Sequence, residues 1–271
     1  MPMKKRFLLV LSALALAVIF LAGCSGHSPG EFQGYIEGEY VYVASPLGGA
    51  LTNLAVARGD QVKSGQLLFE LERSSEAAAL DVAEKNVALA KANLALSESE
   101  FSRRQKLRGD NGVISAEELD QAHAQRDADA AQVASQQAAL DKAKWSFDQK
   151  QQFAPANAFV QDTLYRSGEF VAAGNPVVVL LPPENLKVRF FVPQEVLPKI
   201  KTGETVSVSF DGAKKNYSAT ISYISTQVEF TPPVIYNREN RAKLVFMIEA
   251  KFSPADAAEL RPGQPVDVKL Q

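Results

Sequence analysis

Between Ser74 and Phe153 the chain carries two long apolar patterns of helical period, set back to back around one short break, Gly109-Asp110-Asn111-Gly112. At heptad spacing the first arm places Leu80, Val87, Leu94 and Phe101 at one seam position and Ala83, Ala90 and Ser97 at the other. The second arm repeats the scheme with Leu119, Val133, Leu140 and Phe147, and with Ala122 and Ala143, interrupted by Arg126, Asp129 and Gln136. Each arm is about 35 residues, so as a helix it spans about 50 Å. Two equal arms joined by a tight break fold back into an antiparallel hairpin, and the small seam residues let its helices lie close. Ser115-Ala116-Glu117-Glu118 spells a capping box that starts the second helix.

The segments flanking the hairpin are copies of one pattern. At a constant offset of 109 residues, Leu51–Leu71 overlays Val160–Leu180 without a gap. Gly59 falls on Gly168, Gly65 on Gly174, Val62 on Val171, and Leu68, Phe69 and Leu71 on Val177, Val178 and Leu180. Glycine at two turn positions within alternating apolar residues predicts two equivalent short β units, because those turns need a positive φ. The hairpin is then an insertion between the halves of one small β domain.

These residues resemble a known family. The run Val56-Ala-Arg-Gly-Asp-Gln-Val-Lys-Ser-Gly-Gln-Leu-Leu-Phe-Glu-Leu71 is similar to the first half of a biotinyl/lipoyl-like domain. Ala154-Pro155, Phe159-Val160 and Gly168-Glu-Phe-Val-Ala-Ala-Gly174 are similar to its second half. A coiled coil between the halves is the arrangement of the HlyD-type periplasmic adaptor subunits, the membrane fusion proteins of tripartite exporters. The resemblance implies an elongated α+β chain: a split biotinyl/lipoyl-like β-sandwich (41–72 and 154–181), an antiparallel coiled-coil α-hairpin (73–153) and a small antiparallel β-barrel (182–271). Its implied partners are an inner-membrane exporter, a TolC-like outer-membrane channel and further copies of the chain in a ring, as a hexamer.

At the start, Lys4, Lys5 and Arg6 precede an apolar run, Phe7–Phe20, and Leu21-Ala22-Gly23-Cys24. Residues 1–23 read as a signal peptide, and the last four resemble a bacterial lipobox. Cys24, the chain's one cysteine, is then diacylated and anchors the protein without a spanning helix. The resemblance implies a periplasmic protein held at the inner membrane, although Ser25 after the cysteine fits enteric sorting to the outer one. Residues 24–40 are expected to form a leader and a first strand, Tyr35–Val43, leading into the lipoyl-like unit.

Near the break, Arg103, Leu107 and Ser115 resemble the Arg, Leu and Ser triplet that adaptors present to TolC-like channels, with one residue more than the usual spacing before Ser115. The residues alone equally allow Arg103, Arg104, Lys106 and Arg108 to be a solvated basic face and Ser115 to be only a helix cap. Val82, Leu89 and Leu96 recur every seven residues off the seam; they fit either a lateral contact between hairpins or a widened internal stripe. Trp145, also off the seam, is expected to pack against the lipoyl-like unit.

After Leu181 short alternating segments, Leu186–Val192, Thr205–Phe210, Tyr217–Thr226, Lys243–Lys251 and Val266–Leu270, are expected strands, with Val196–Ile200 a helical turn. The run from Phe230 to Glu249 resembles the barrel segment of lipoprotein adaptors that serve ABC-type exporters. The close Leu260-Arg-Pro-Gly-Gln-Pro-Val-Asp-Val268, with no further domain after it, points the same way and away from RND pumps. A structural envelope lipoprotein without a transport role, or the adaptor of an RND-type pump, is the alternative.

The net charge of −2 over 271 residues argues against a nucleic-acid partner. The two histidines, His27 and His123, have no cysteine to join them in a metal site. Asp141-Lys142-Ala143 spells the tripeptide around a lipoyl or biotinyl lysine, but it lies inside the second helical arm rather than on a β turn. No enzyme, cofactor or metal is expected.

Overall fold

A computed structural model describes residues 30–111, 114–213, 215–230 and 244–270, without the side chains of 110, 111 and 230. Residues 1–29, with the signal-peptide reading, Cys24 and Ser25, and residues 231–243 of the run from Phe230 to Glu249 lie outside the described residues. The chain divides into two units, one made by Glu39–Asn185 and the other by the chain up to Gly38 and from Leu186 onward.

The first unit is a sandwich of two four-stranded sheets carrying a helical hairpin. One sheet has the order β2-β9-β7-β4 and the other β6-β5-β3-β8. Their strands are β2 (Val41–Ala44), β3 (Gly49–Leu54), β4 (Gln61–Val62), β5 (Leu67–Leu71), β6 (Gln151–Phe153), β7 (Ala158–Thr163), β8 (Phe170–Val171) and β9 (Pro176–Leu181). Both sheets mix strands from before and after the hairpin, so neither half has a complete sheet alone.

The repeat appears in the hydrogen bonds as well as in the sequence. Gly59 N–H donates to Val160 C=O at 2.9 Å, and its counterpart Gly168 donates to Leu51 C=O at 2.7 Å. Gly65 donates to Ala154 C=O and Gly174 to Ser45 C=O, both at 2.8 Å. All four glycines have positive φ, between 80° and 99°, a region costly for residues with a Cβ. Leu68, Phe69, Leu71, Val177, Val178 and Leu180 meet in one fully buried core. Each half therefore supplies turns whose bonds are completed by the other.

Between the halves stand α1 (Ser74–Asn111) and α2 (Ala116–Asp148). Ala83, Val87, Ala90, Ser97 and Ala122 are buried at their contact, with Leu80, Leu94, Phe101, Leu119, Val133 and Leu140 half-buried. The residues that interrupt the second arm keep to the seam: Arg126, Asp129 and Gln136 are half-buried there. Arg126 can occupy a seam position because its guanidinium lies over the Phe101 ring, 4.9 Å from the centroid, where the planar cation is attracted by the ring face while its stem covers apolar surface. The break is shorter than the sequence indicates, since α1 continues through Gly109 and Asp110 to Asn111. One helical glycine costs only about 1 kcal/mol, less than an early end to a paired helix forfeits.

The second unit is a closed antiparallel barrel of order β1-β10-β13-β12-β11-β14. Its strands are β1 (Glu31–Gly38), β10 (Leu186–Pro193), β11 (Thr205–Ser209), β12 (Tyr217–Phe230), β13 (Leu244–Phe252) and β14 (Pro265–Leu270). Ile36, Val188, Phe190, Ile248, Val206 and Val268 are among its buried residues. A short helix, α3 (Pro254–Ala257), capped by Ser253, lies between β13 and β14; the sequence reading did not anticipate it. The predicted turn is a 3-10 segment, Leu197–Lys199.

One boundary is corrected. The strand expected over Tyr35–Val43 is two strands in different units: β1 pairs with β10 and β14 and belongs to the barrel, while β2 pairs with β9. Residues 31–38 are therefore a barrel strand rather than a lead into the sandwich. Alternation reports that a strand exists but not its partner. The barrel depends on β1 for closure, and Gly34 shows how tightly it fits: an added Cβ would lie 2.4 Å from Arg189 O and 2.7 Å from Phe190 Cβ.

Candidate contact surfaces of the hairpin

Arg103 and Leu107 lie one turn apart on the last turns of α1, which places them on one face. Leu107 is 42% exposed. Arg103 is exposed and, among the described residues, pairs with Glu100 on its own helix at 3.2 Å. Its neighbour Arg104 has a different task. It bonds Glu100 at 3.0 Å and donates across the hairpin to Glu118 C=O at 3.2 Å, tying the first turn of α2 to α1.

Ser115 is the N-cap of α2. Its hydroxyl accepts from Glu118 N–H at 3.2 Å, and the Glu118 carboxylate accepts from Ser115 N–H at 2.8 Å and from its hydroxyl at 3.1 Å. These bonds hold the Glu118 carboxyl below the usual range. Arg103 and Leu107 are thus an exposed charge and an exposed apolar side chain on one face, while the Ser115 hydroxyl is engaged in the cap. Below the tip, Ser97, Glu100, Arg104, Gln121, Ala122 and Gln125 line an interhelical cavity of about 180 Å³.

Lower on the hairpin, His123 meets Phe101 edge-on, with 5.3 Å between ring centroids. Arg126 bonds His123 Nε2 at 2.8 Å, and His123 Nδ1 lies 3.3 Å from Asp127. Arg126 also bonds Asp127, and that contact lowers the Asp127 carboxyl.

The base of the hairpin is clamped by residues that the sequence reading missed. Lys150, just past α2, has a side chain only 6% exposed. Its ammonium donates to Gly48 C=O at 2.7 Å and pairs with Glu76, in the first turn of α1, at 3.0 Å. Buried Ser45 donates its hydroxyl to Gln149 C=O at 2.8 Å, and Arg73 pairs with Glu70 at 2.7 Å while lying over Phe147. The exit of α2, the entry of α1 and the β2–β3 connection are fixed to one another. No periodic pattern announces this cluster, since Lys150 and Gly48 are 102 residues apart.

Off the seam, Val82, Leu89 and Leu96 are 57%, 62% and 71% exposed, so α2 does not cover them and the widened internal stripe does not form. Trp145, expected against the sandwich, is 50% exposed. Lys142, in the accidental carrier tripeptide, is an exposed residue inside α2. Among the described residues no group of His, Cys, Asp and Glu has metal-site geometry, and no helix is long and apolar enough to cross a membrane.

A paired-helix projection from a split sandwich, together with a small barrel, is the fold of solved membrane fusion proteins. Residues 79–150 match the family model described as the RND MFP alpha-helical hairpin domain. The chain is 26% identical to a UPF0194 membrane protein of Enterobacter sp. (strain 638), over 99% of this chain and 98% of the relative. Among solved structures it is similar to the membrane fusion protein Spr0693 of Streptococcus pneumoniae R6, with TM-score 0.64 and 21% identity over 89% of this chain and 98% of that one. It is also similar to MacA of Actinobacillus actinomycetemcomitans, with TM-score 0.58 and 19% identity over 90% and 81%.

Proposed function

We propose that the chain is the periplasmic adaptor of a tripartite efflux or secretion system, joining an inner-membrane exporter of the ABC type to a TolC-like outer-membrane channel. The observation that carries this reading is the hairpin tip, where Leu107 and Arg103 face outward on a helix pair braced at its base by Lys150. A charge-assisted donor beside an apolar anchor suits docking between helix ends. The protein has no chemistry of its own in this reading. It transmits pump motion to the channel and helps enclose the path, as one copy in a ring.

Cys24, diacylated, holds it at the inner membrane. Cys24→Ala should move it to the soluble fraction, and salt-resistant membrane association of that variant would refute the anchor. Leu107→Asp should abolish export with helix content unchanged, because it places a carboxylate where an apolar contact is needed. Normal export by that variant at normal abundance would refute tip docking.

The match of residues 79–150 to an RND hairpin model favours a second reading, in which the pump is proton-driven. Loss of export on ATP depletion with the proton gradient held constant separates the ABC reading from this one.

A further inference from the structure

The seam of the hairpin changes character along its length, and we infer that its tip end opens by release of Arg104 while the base stays paired, baring an apolar strip for a partner helix. The inference rests on the adaptor reading and deepens it, by giving the tip a closed and an open state.

Toward the base the seam is apolar. On α1 Ala83, Val87 and Ala90 are buried, and on α2 Val133, Leu140 and Phe147 are half-buried against that helix, with the Lys150 cluster below them. Toward the tip polar residues take seam positions: Ser97 and Arg104 on α1, Arg126 and Asp129 on α2. Ser97 is the last buried residue of α1 among those described. Its hydroxyl donates to Leu94 C=O of its own helix at 3.0 Å rather than across the pair. Beside it lies the interhelical cavity of about 180 Å³, in whose lining Ala122 is the one apolar residue among Ser97, Glu100, Arg104, Gln121 and Gln125. A cavity of that size with polar walls holds water, so apolar contact does not close the seam there.

What closes the tip end is charged. Arg104 donates to Glu118 C=O at 3.2 Å while bonded to Glu100 at 3.0 Å. Arg126 lies over the Phe101 ring while bonding His123 and Asp127. Both side chains are only half-buried, and water replaces such bonds with little net loss. Parting the base instead exposes apolar area, which water does not compensate. The tip end therefore gives way first. Its arms stay helical as they part, because each continues a helix paired below and α2 keeps its Ser115–Glu118 cap.

The five peptide steps from Asn111 to Ala116 let the helix ends separate to about 17 Å, against about 8–10 Å between packed axes. That gap uncovers Phe101, Leu119 and Ala122. In the closed tip, Leu107 is the one exposed large apolar side chain between Ser97 and Ala122 among the described residues. The strip comes from two helices and runs along them, so the occupant it fits is an apolar helix of the outer-membrane partner.

The test is thiol accessibility in full-length protein in membranes of its own bacterium, with the parent chain as blank. Ala83, Ala90, Ser97 and Ala122 are 9%, 4%, 8% and 6% exposed, so a hairpin that stays closed labels a cysteine at each of them equally slowly. Opening predicts that Ser97→Cys and Ala122→Cys react with a maleimide at least tenfold faster than Ala83→Cys and Ala90→Cys. Adding Arg104→Ala should speed the two tip sites severalfold more and leave Ala83→Cys unchanged. Equal rates at the four sites, or tip rates indifferent to Arg104→Ala, would overturn the inference. A second arm bridges Arg104→Cys to Gln121→Cys, both at the cavity, with bismaleimidoethane in exporting cells. Export should fall at least tenfold in the bridged variant and in neither treated single variant. Full export by the bridged form would also overturn the inference; if Leu107→Asp still abolishes export in that case, the adaptor reading survives while the opening does not.

Discussion

Lys150→Met tests whether the hairpin is held by its base. The ammonium bonds Gly48 C=O at 2.7 Å and Glu76 at 3.0 Å, and methionine matches its stem while removing the charge. What remains is a carboxylate only 21% exposed and a carbonyl, both without their cation. Breaking a buried pair from one side costs about 3–5 kcal/mol, and the partial exposure of Glu76 favours about 3. That corresponds to roughly a hundredfold faster opening of the base, read as hydrogen exchange at residues 74–82 and 148–153 by mass spectrometry, with the barrel strands as internal reference. In Lys150→Met/Glu76→Leu the stranded carboxylate is gone, and most of the protection should return. A single variant that exchanges like the parent would show that the ion pair does not hold the base. A double variant as loose as the single one would show that the loss lies in packing rather than in an uncompensated charge.

Two glycine substitutions should act in opposite directions: Gly34→Ala should unfold the barrel at a temperature well below the parent, since its Cβ meets backbone at 2.4 Å, whereas Gly109→Ala, with open space around it, should stabilise α1 by about 0.5–1 kcal/mol. Ser115→Ala should cost about 1 kcal/mol of α2 stability through the lost cap, seen in thermal melts followed at 222 nm. Because the Glu118 carboxyl is held below its ordinary value by Ser115, its contribution is present above the unfolded value and is lost as pH falls through the lower folded one. Protection of the first turn of α2 should therefore fall in that acidic window, and Glu118→Gln should remove that part of the pH dependence.

The sandwich was legible because its turns demand glycine: Gly59, Gly65, Gly168 and Gly174 mark the same turns twice, and their reciprocal bonds follow from the repeat. The hairpin was legible because Leu80, Val87, Leu94 and Phe101 keep heptad spacing over three heptads of the seam. What failed concerned partners rather than elements. Alternation in Tyr35–Val43 could not reveal that the chain changes units after Gly38, and nothing near Trp145 showed that half of its surface stays exposed. The clamp was invisible because Ser45, Glu76 and Lys150 come from three distant stretches, each an ordinary polar residue in its own context. Arg126 looked like a defect in the seam because its partner, the Phe101 ring, lies on the other helix.

Photo-cross-linking from the hairpin tip bears most directly on the adaptor reading. A photoreactive phenylalanine analogue at position 107, in living cells that export, should form one major adduct with an outer-membrane protein, while the same analogue at Leu164 in the sandwich should not. Export continuing at its normal rate with no outer-membrane adduct from position 107 would contradict it.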